Sequence, residues 1–560
     1  MRRDIQKLSN QVYDVVIVGA GIYGAIAAWD AVLRGLSVAL IERSDFGSAT
    51  SANSLKTIHG GLRYLQQLDV KRMRESIRER RILMHIAPHL VHPLPCIMLT
   101  YGHLTKGKEV MRVGMWMNDL IGFDRNQLND PEKRIPRGRV VSLGECEKWI
   151  PRIDDRRFNG GALWYDAQMY NSDRMVISFV LSAVKEGASV ANYVEATRFL
   201  LKNKKVIGIQ ACDKLSGQEF EIQAKVVLNC CGAWVDRLLN QINNGSLRKR
   251  FRLSTAMNLV VNRRLFPDCA TGIPSQFTFH RPDDTLYRGS RILFFSPWRQ
   301  FTLIGTRHRP YNENPDKNRI LEEEVQEFLD EANKAFPAAS IKREEVSFYH
   351  KGFLPMDGVH PKTGEVKLTK HYRIVDHSRE DGIDGLISVV GVKFTTARDV
   401  AEKAINIISQ KLGNKSLQCR SHNTRLVGGD IEHFDDYVKE VHHHCSDRLD
   451  PAVIDHLVYN YGSEYKRILQ YVGEEPDFGK IVPGSKEVLI AEVIHAVREE
   501  IAQKLADVIL RRTDLGSGQY PGKETIRACA EMMARECGWN KERMNREIEE
   551  VNDVYVPQGA

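Results

Sequence analysis

At 560 residues the chain is too long for one hydrophobic core, and two or three domains are expected. Its 42% hydrophobic and 27% charged residues exclude a disordered chain, and no apolar run approaches the roughly 18 residues of a membrane-spanning helix. The net charge of +8 permits an anionic ligand or an anionic membrane surface, whereas the lack of a basic run interleaved with aromatics argues against nucleic acid.

The first residues, MRRDIQKLSNQ, carry basic groups but no apolar segment, so they do not read as a secretory signal and the cytoplasm is the expected compartment. Tyr13 to Val18 (YDVVIV) is a short apolar run rich in Val and Ile, the pattern of a parallel strand buried on both faces. It runs into Gly19-Ala20-Gly21-Ile22-Tyr23-Gly24, then into a helix-forming stretch that stops at Gly35. A second apolar run, Leu36 to Ile41, ends in Glu42. Each part has a mechanical role in holding a dinucleotide. Gly19 allows the tight turn, Gly21 lets the backbone approach a diphosphate, and Gly24 lets helix and strand pack closely. The helix start offers free N–H groups and the positive end of its dipole. Glu42 is placed to accept hydrogen bonds from ribose hydroxyls.

Further along, Glu109 to Gly122 (EVMRVGMWMNDLIG) reads either as a buried helix or as one lying on a bilayer surface. The segment 491–512 has the charged, periodic text of helices. Ten scattered cysteines, none in a CxxC pair, point to a reducing compartment and to no metal site.

The stretch Ala49 to Leu65 (ATSANSLKTIHGGLRYL) resembles the segment after the second strand in FAD-dependent glycerol-3-phosphate dehydrogenases of the respiratory, membrane-associated type. Four further stretches are similar in order: Val226 to Trp234, Leu303 to Thr306, Gly391 to Arg398, and Leu510 to Thr513. The resemblance implies an α/β fold: a Rossmann-like FAD domain from 12–70, 155–235 and 365–412, an antiparallel-sheet substrate domain from 71–154 and 236–364, and a helical C-terminal domain from 413 to 560. It implies FAD contacts at Gly19, Gly21, Gly24, Glu42, Thr50, Ser51, Ser54, Lys56, His59, Gly61, Val194, Gly232, Trp234, Gly391, Lys393, Phe394 and Thr395. Gly391 is expected to open a helix whose N–H donors face the pyrimidine end of the flavin, where they stabilise the charge of the reduced ring. Thr395 and Thr396 also suit a helix cap. His59 is expected to be structural beside the flavin.

Three positions depart from the family. Asn258 stands where the family has a histidine proposed as base, and asparagine takes no proton at neutral pH. Leu354 stands where a phosphate-binding arginine is expected, and Lys370 where another arginine falls, with loss of the bidentate fork. Arg307-His308-Arg309 and Lys351 offer a replacement anion site, with His308 as base. The substrate set is then Arg63, Tyr64, Asn258, Arg307 and Lys370, and the catalytic set Arg63, Lys393 and His308. Restoring histidine at 258 and arginine at 354 is expected to raise activity on glycerol 3-phosphate if the pocket alone has diverged. The expected reaction is oxidation of a secondary alcohol on a small polar or anionic substrate by hydride transfer to FAD, with a quinone or other acceptor and contact with the inner face of the cytoplasmic membrane. Two readings compete: an FAD-dependent amine or amino-acid oxidase, and a flavin-binding module without turnover.

Overall fold

The computed structural model describes residues 1–65, 68–100, 108–153, 158–242, 251–280, 286–361, 364–413 and 418–559. The expected strand forms as β1 (Val12–Val18), in an eight-stranded sheet. Its neighbours, Glu219–Asn229 and β2 (Val38–Ile41), are both parallel to it, with Leu386–Val390 and Ser189–Ala191 outside them. Val15, Val16 and Ile17 have no exposed surface. Burying each such side chain contributes about 1.5–3 kcal/mol, which is why the run is continuous rather than alternating. On one face the helices α1 (Ile22–Leu33), Ser172–Lys185 and Ala397–Lys411 share a core with the sheet, and Trp29 meets Phe179 edge-on at 5.4 Å. The other face is closed by the antiparallel excursion Val194–Lys202 and Lys205–Asp213. β2 starts later than the apolar run suggests because the α1 C-terminus takes up the intervening residues. Gly35 adopts φ +80°, and the Leu36 N–H returns to the Ala31 carbonyl.

A second sheet of ten strands forms the other layer, antiparallel except where Ala270–His280 runs parallel to Val91–Thr100. Arg252–Val261 lies between Phe301–Tyr311 and Val346–Val359. Helix Glu322–Ala335 buries Val325, Phe328, Leu329 and Ala332 against the sheet. Sheet membership departs from the expected boundaries. Thr57–Ile58, Gly160–Met169 and Val366–Leu368 belong to the second sheet, not the first. Gly160–Met169 pairs with Val91–Thr100 along its whole length, and this ladder decides its place.

The C-terminal region is helical, with two cores of its own. The helices expected in 491–512 form as separate pieces. Ile490–Arg498 ends, Ile501 takes φ +55°, and helix resumes at Leu505. Helix Lys108–Ile121 buries Met115 but exposes Val110, Val113, Trp116 and Leu120 along one stripe, with Trp116 66% exposed. No described helix is long and apolar enough to cross a membrane.

Candidate active site

The glycine turn between β1 and α1 is a cradle that side chains would fill. A Cβ at Gly24 would lie 1.8 Å from the Gly19 carbonyl oxygen, and one at Gly19, which sits at φ +97°, 2.7 Å from the Cys230 oxygen. At Gly21 a Cβ would meet only Ser51 Oγ, at 3.2 Å. Ser51 accepts the Ile22 N–H at 2.9 Å and so stands at the start of α1. Glu42 accepts the N–H groups of Ala20 at 2.8 Å and Ser44 at 3.0 Å, while burial raises its pKa against them. The Val194 N–H donates to the Glu42 carbonyl at 2.8 Å. A backbone stripped of side chains, a hydroxyl at a helix start and a carboxylate at the second strand end together fit the diphosphate and ribose of an adenine dinucleotide.

Other expected cofactor contacts are engaged within the protein. Thr50 Oγ accepts the Phe353 N–H at 3.0 Å, and Ser54 Oγ accepts the Lys56 N–H at 3.2 Å. Lys56 Nζ is buried and donates to the Ala52 carbonyl and Ser172 Oγ, both at 2.6 Å. Gly232 takes φ +55°, and the Trp234 indole N–H donates to Asp316 at 2.8 Å. The Lys56 and Trp234 polar atoms therefore serve the loop and the domain junction.

The turn Gly391–Lys393 faces Tyr23 of α1. A Cβ at Gly391 would fall 2.0 Å from the Tyr23 ring. Tyr23 Oη accepts the N–H groups of Val392 and Lys393 at 3.1 Å each and donates to the Lys393 carbonyl at 2.6 Å. The donors expected to face the flavin are thus turned onto a tyrosine whose hydroxyl burial pushes up to about 12. The helix begins at Ala397, six residues past Gly391, and Thr396 makes no side-chain cap bond. Phe394 packs beside the first core, and Thr395 Oγ accepts the His59 N–H at 3.2 Å.

Lys393 Nζ lies 4.0 Å above the Tyr64 ring, and the Arg72 guanidinium lies 4.5 Å from the same ring. Burial, helped by Arg72, draws the Lys393 ammonium down to about 8. Arg72 also donates to the Lys370 carbonyl at 3.1 Å. Arg72, Lys370, His371 and Lys393, with Glu75 and Tyr372, line a shallow, solvent-open depression. Gly61, at φ +86°, lets the chain pass close over Tyr64 and Met73.

His59 is the second chemical feature. Its Nδ1 lies 3.0 Å from Asp166, a buried carboxylate that also accepts the Gly60 N–H at 2.6 Å and Arg80 at 3.1 Å. Burial opposes ionisation of Asp166, but the His59 bond, His59 itself and Arg80 outweigh it and keep the carboxyl low. The His59 side chain is 49% exposed, so the imidazole of the dyad is half open to solvent.

The proposed base at 308 does not suit that role. Burial, Arg291 and Arg63 lower the His308 imidazole to about 4, and its Nδ1 has no partner. Such a group takes up a proton poorly at neutral pH. Nor do its neighbours share its face. Arg307 donates to the Glu324 carbonyl and to Glu327, Arg309 pairs with the same two acids, and Lys351 donates to Glu324 at 2.7 Å. Adjacent residues of a strand point to opposite sides, so Arg307 and Arg309 share the face away from His308, and the anion site expected of them is instead an ion-pair layer with Glu324 and Glu327 of helix Glu322–Ala335. Arg63, the exposed residue of the half-buried helix Leu62–Leu65, is close enough to His308 to act on its charge. Asn258 is 1% exposed, accepts the Thr306 hydroxyl at 2.8 Å and fills the space over Gly305. Three residues of the site, Tyr23, Arg72 and Asp166, were not anticipated. A lone acid within the apolar run Ala162–Met169 was the available signal for Asp166.

The cradle, the two sheets and the helical appendage define a flavin-dependent oxidoreductase. A family model described as FAD dependent oxidoreductase matches residues 14–392, and one described as the C-terminal domain of alpha-glycerophosphate oxidase matches 419–544. The glycerol-3-phosphate dehydrogenase of Synechocystis sp. is 30% identical, covering 100% of this chain and 99% of that protein. The mitochondrial enzyme of Bos taurus is 29% identical over 96% of this chain and 72% of its own length. The solved glycerol-3-phosphate dehydrogenase of Bacillus halodurans, complexed with FAD, superposes with a TM-score of 0.75 over 98% of this chain and 96% of that one, at 23% identity. The chain belongs to the FAD-dependent glycerol-3-phosphate dehydrogenase family, and its cofactor is FAD. The amine-oxidase and turnover-free readings find less support than this one.

Proposed function

We propose that the protein oxidises the secondary alcohol of glycerol 3-phosphate, or of a close phosphorylated polyol, and that its electrons pass to a membrane quinone. FAD, when bound, supplies the two-electron hydride acceptor. The chain's own residues do the rest. Lys393, Arg72 and Lys370 hold the phosphate in the cationic pocket beside Tyr64. His59, oriented by Asp166, takes the hydroxyl proton at Nε2. Arg63 stabilises negative charge developing on the alcohol oxygen. One observation carries this reading: the His59 N–H bonds Thr395, which sets an exposed His–Asp dyad against the turn that bears Lys393. Hydroxyl base and anion seat therefore flank one turn from neighbouring segments. The exposed apolar stripe of helix Lys108–Ile121 supports peripheral membrane contact.

The test is anaerobic bleaching of the bound flavin. Glycerol 3-phosphate should bleach it and glycerol should not. A flavin that dithionite reduces but no phosphorylated polyol does would overturn the assignment.

A further inference from the structure

Arg511 and Arg512 belong to the C-terminal domain, yet both reach the loop that follows β2. Arg512 donates from Nη1 and Nη2 to the two oxygens of Asp45 at 2.6 and 2.8 Å, and Arg511 donates from Nε at 2.5 Å. Asn192 adds a fourth donor at 3.0 Å. All four residues are buried. Burial opposes the Asp45 charge, but Arg512 and Arg511 hold the carboxyl well below the ordinary carboxylate range. Asp45 lies between Glu42 and Ser51, on the segment that has to close over a diphosphate. The loop's other ties to the glycine turn include the Gly47 N–H to the Ala20 carbonyl at 3.0 Å and the Ile22 N–H to Ser51.

The same C-terminal segment continues to the substrate sheet. Asp514 accepts Arg299 at 2.8 Å and Asn171 at 2.7 Å. Ser517 Oγ accepts Arg299 at 2.6 Å, and the Gly518 carbonyl accepts the Ser347 hydroxyl at 2.8 Å. Residues 511–518 are thus a strap that is bonded to the cofactor loop at one end and to the substrate sheet at the other.

We propose that this strap is a flavin-retention device, so that FAD affinity depends on the C-terminal domain through Asp45. The physical reason lies in the burial. A carboxylate in a dry site is stable there only while its guanidinium partners stay, and removing one side leaves an uncompensated charge. Without the guanidiniums the nearest relief is for the loop to swing Asp45 into water, and without the carboxylate the loop loses its charged tie to Arg511 and Arg512; either way Ser51 is freed from its place at the start of α1. The readout is flavin retention, so it stands or falls independently of which alcohol is oxidised.

The test uses the full-length protein. FAD dissociation constants, from flavin fluorescence on reconstitution, are compared for native protein, Asp45→Asn, Arg512→Met and Arg498→Met, with circular dichroism as the check on fold. Arg498 pairs with Glu536 on the surface of the same domain and touches no part of the loop. Asp45→Asn and Arg512→Met should each weaken FAD by at least about tenfold, and Arg498→Met should leave it unchanged. A folded Asp45→Asn protein with affinity within about twofold of native, or an equal loss in Arg498→Met, overturns the proposal. The native protein gives a second arm that needs no variant. Adding FAD should slow amide exchange at 511–518 together with 44–56, and protection confined to the loop would also overturn it.

Discussion

Gly21 and Gly24 stand three residues apart in one turn, and the structure assigns them different failures. At Gly21 the backbone is ordinary, with φ −70°, and a Cβ would meet only Ser51 Oγ at 3.2 Å. Gly21→Val should therefore leave the apo-protein folded while its methyls occupy the space the diphosphate needs. If two charge-assisted N–H contacts at the helix start are lost, at about 1.5–3 kcal/mol each, FAD affinity falls by about 10²–10⁴-fold. FAD at a hundred times its dissociation constant stabilises the native protein by about 2.7 kcal/mol, and that gain should vanish in Gly21→Val. Gly24→Ala differs because its Cβ would sit 1.8 Å from the Gly19 carbonyl, far inside van der Waals contact with rigid backbone. The turn has to open, at a cost of about 1–3 kcal/mol or more, with or without cofactor. Melting of both variants with and without FAD, alongside a flavin titration, separates the two cases. A yellow Gly21→Val with native affinity, or a Gly24→Ala apo-protein of native stability, would refute the cradle argument.

Asp166→Asn removes the carboxylate that orients His59 and receives Arg80; turnover should fall by about 10²–10⁴-fold with a smaller change in substrate affinity, measured as kcat against KM. Lys393, lowered to about 8 by burial and by Arg72, should bind phosphate only while protonated, so KM for a phosphorylated substrate should rise as pH climbs through about 8. Lys393→Met should flatten that limb. For stability the sign is opposite: a lysine depressed in the folded state holds fewer protons than in the unfolded chain between about 8 and 10.5, so its contribution improves as pH rises across that window. Trp116→Asp, at the centre of the exposed stripe, should abolish sedimentation with anionic vesicles while leaving turnover with a soluble dye acceptor intact.

The β1–α1–β2 unit was legible because its cues are local: a doubly buried strand, a glycine turn and an acid within some thirty residues. The site beyond it was less so, because its partners are distant in sequence. Asp166 lies 107 residues from His59, the Lys393 carbonyl 370 from Tyr23, and Arg512 467 from Asp45. The resemblance implied cofactor contacts at Thr50, Ser54 and Lys56, but polar residue types alone do not say whether a side chain bonds the loop or a ligand. The reading of Arg307-His308-Arg309 failed for a reason visible in the sequence. Adjacent residues of a strand face opposite sides, so His308 cannot act as base beside an anion seat built from Arg307 and Arg309.

That correction bears on whether the family's missing histidine could be restored. Asn258 fills the space over Gly305, accepts the Thr306 hydroxyl and is almost wholly enclosed, so a larger ring at 258 meets backbone on one side and loses a satisfied hydrogen bond on the other. Overpacking of this kind costs about 1–3 kcal/mol. If proton transfer already runs through the dyad at His59, a second imidazole adds no driving force. Asn258→His should therefore lower the melting temperature and leave kcat on glycerol 3-phosphate at or below the native value, so that position 258 adds nothing to the gain expected of its joint replacement with Leu354→Arg. The discriminating measurement is kcat for Asn258→His in native and His59→Asn backgrounds. A clear rise in the first, or rescue in the second, would move the base from His59 to position 258 and leave Asp166 as a structural anchor for Arg80.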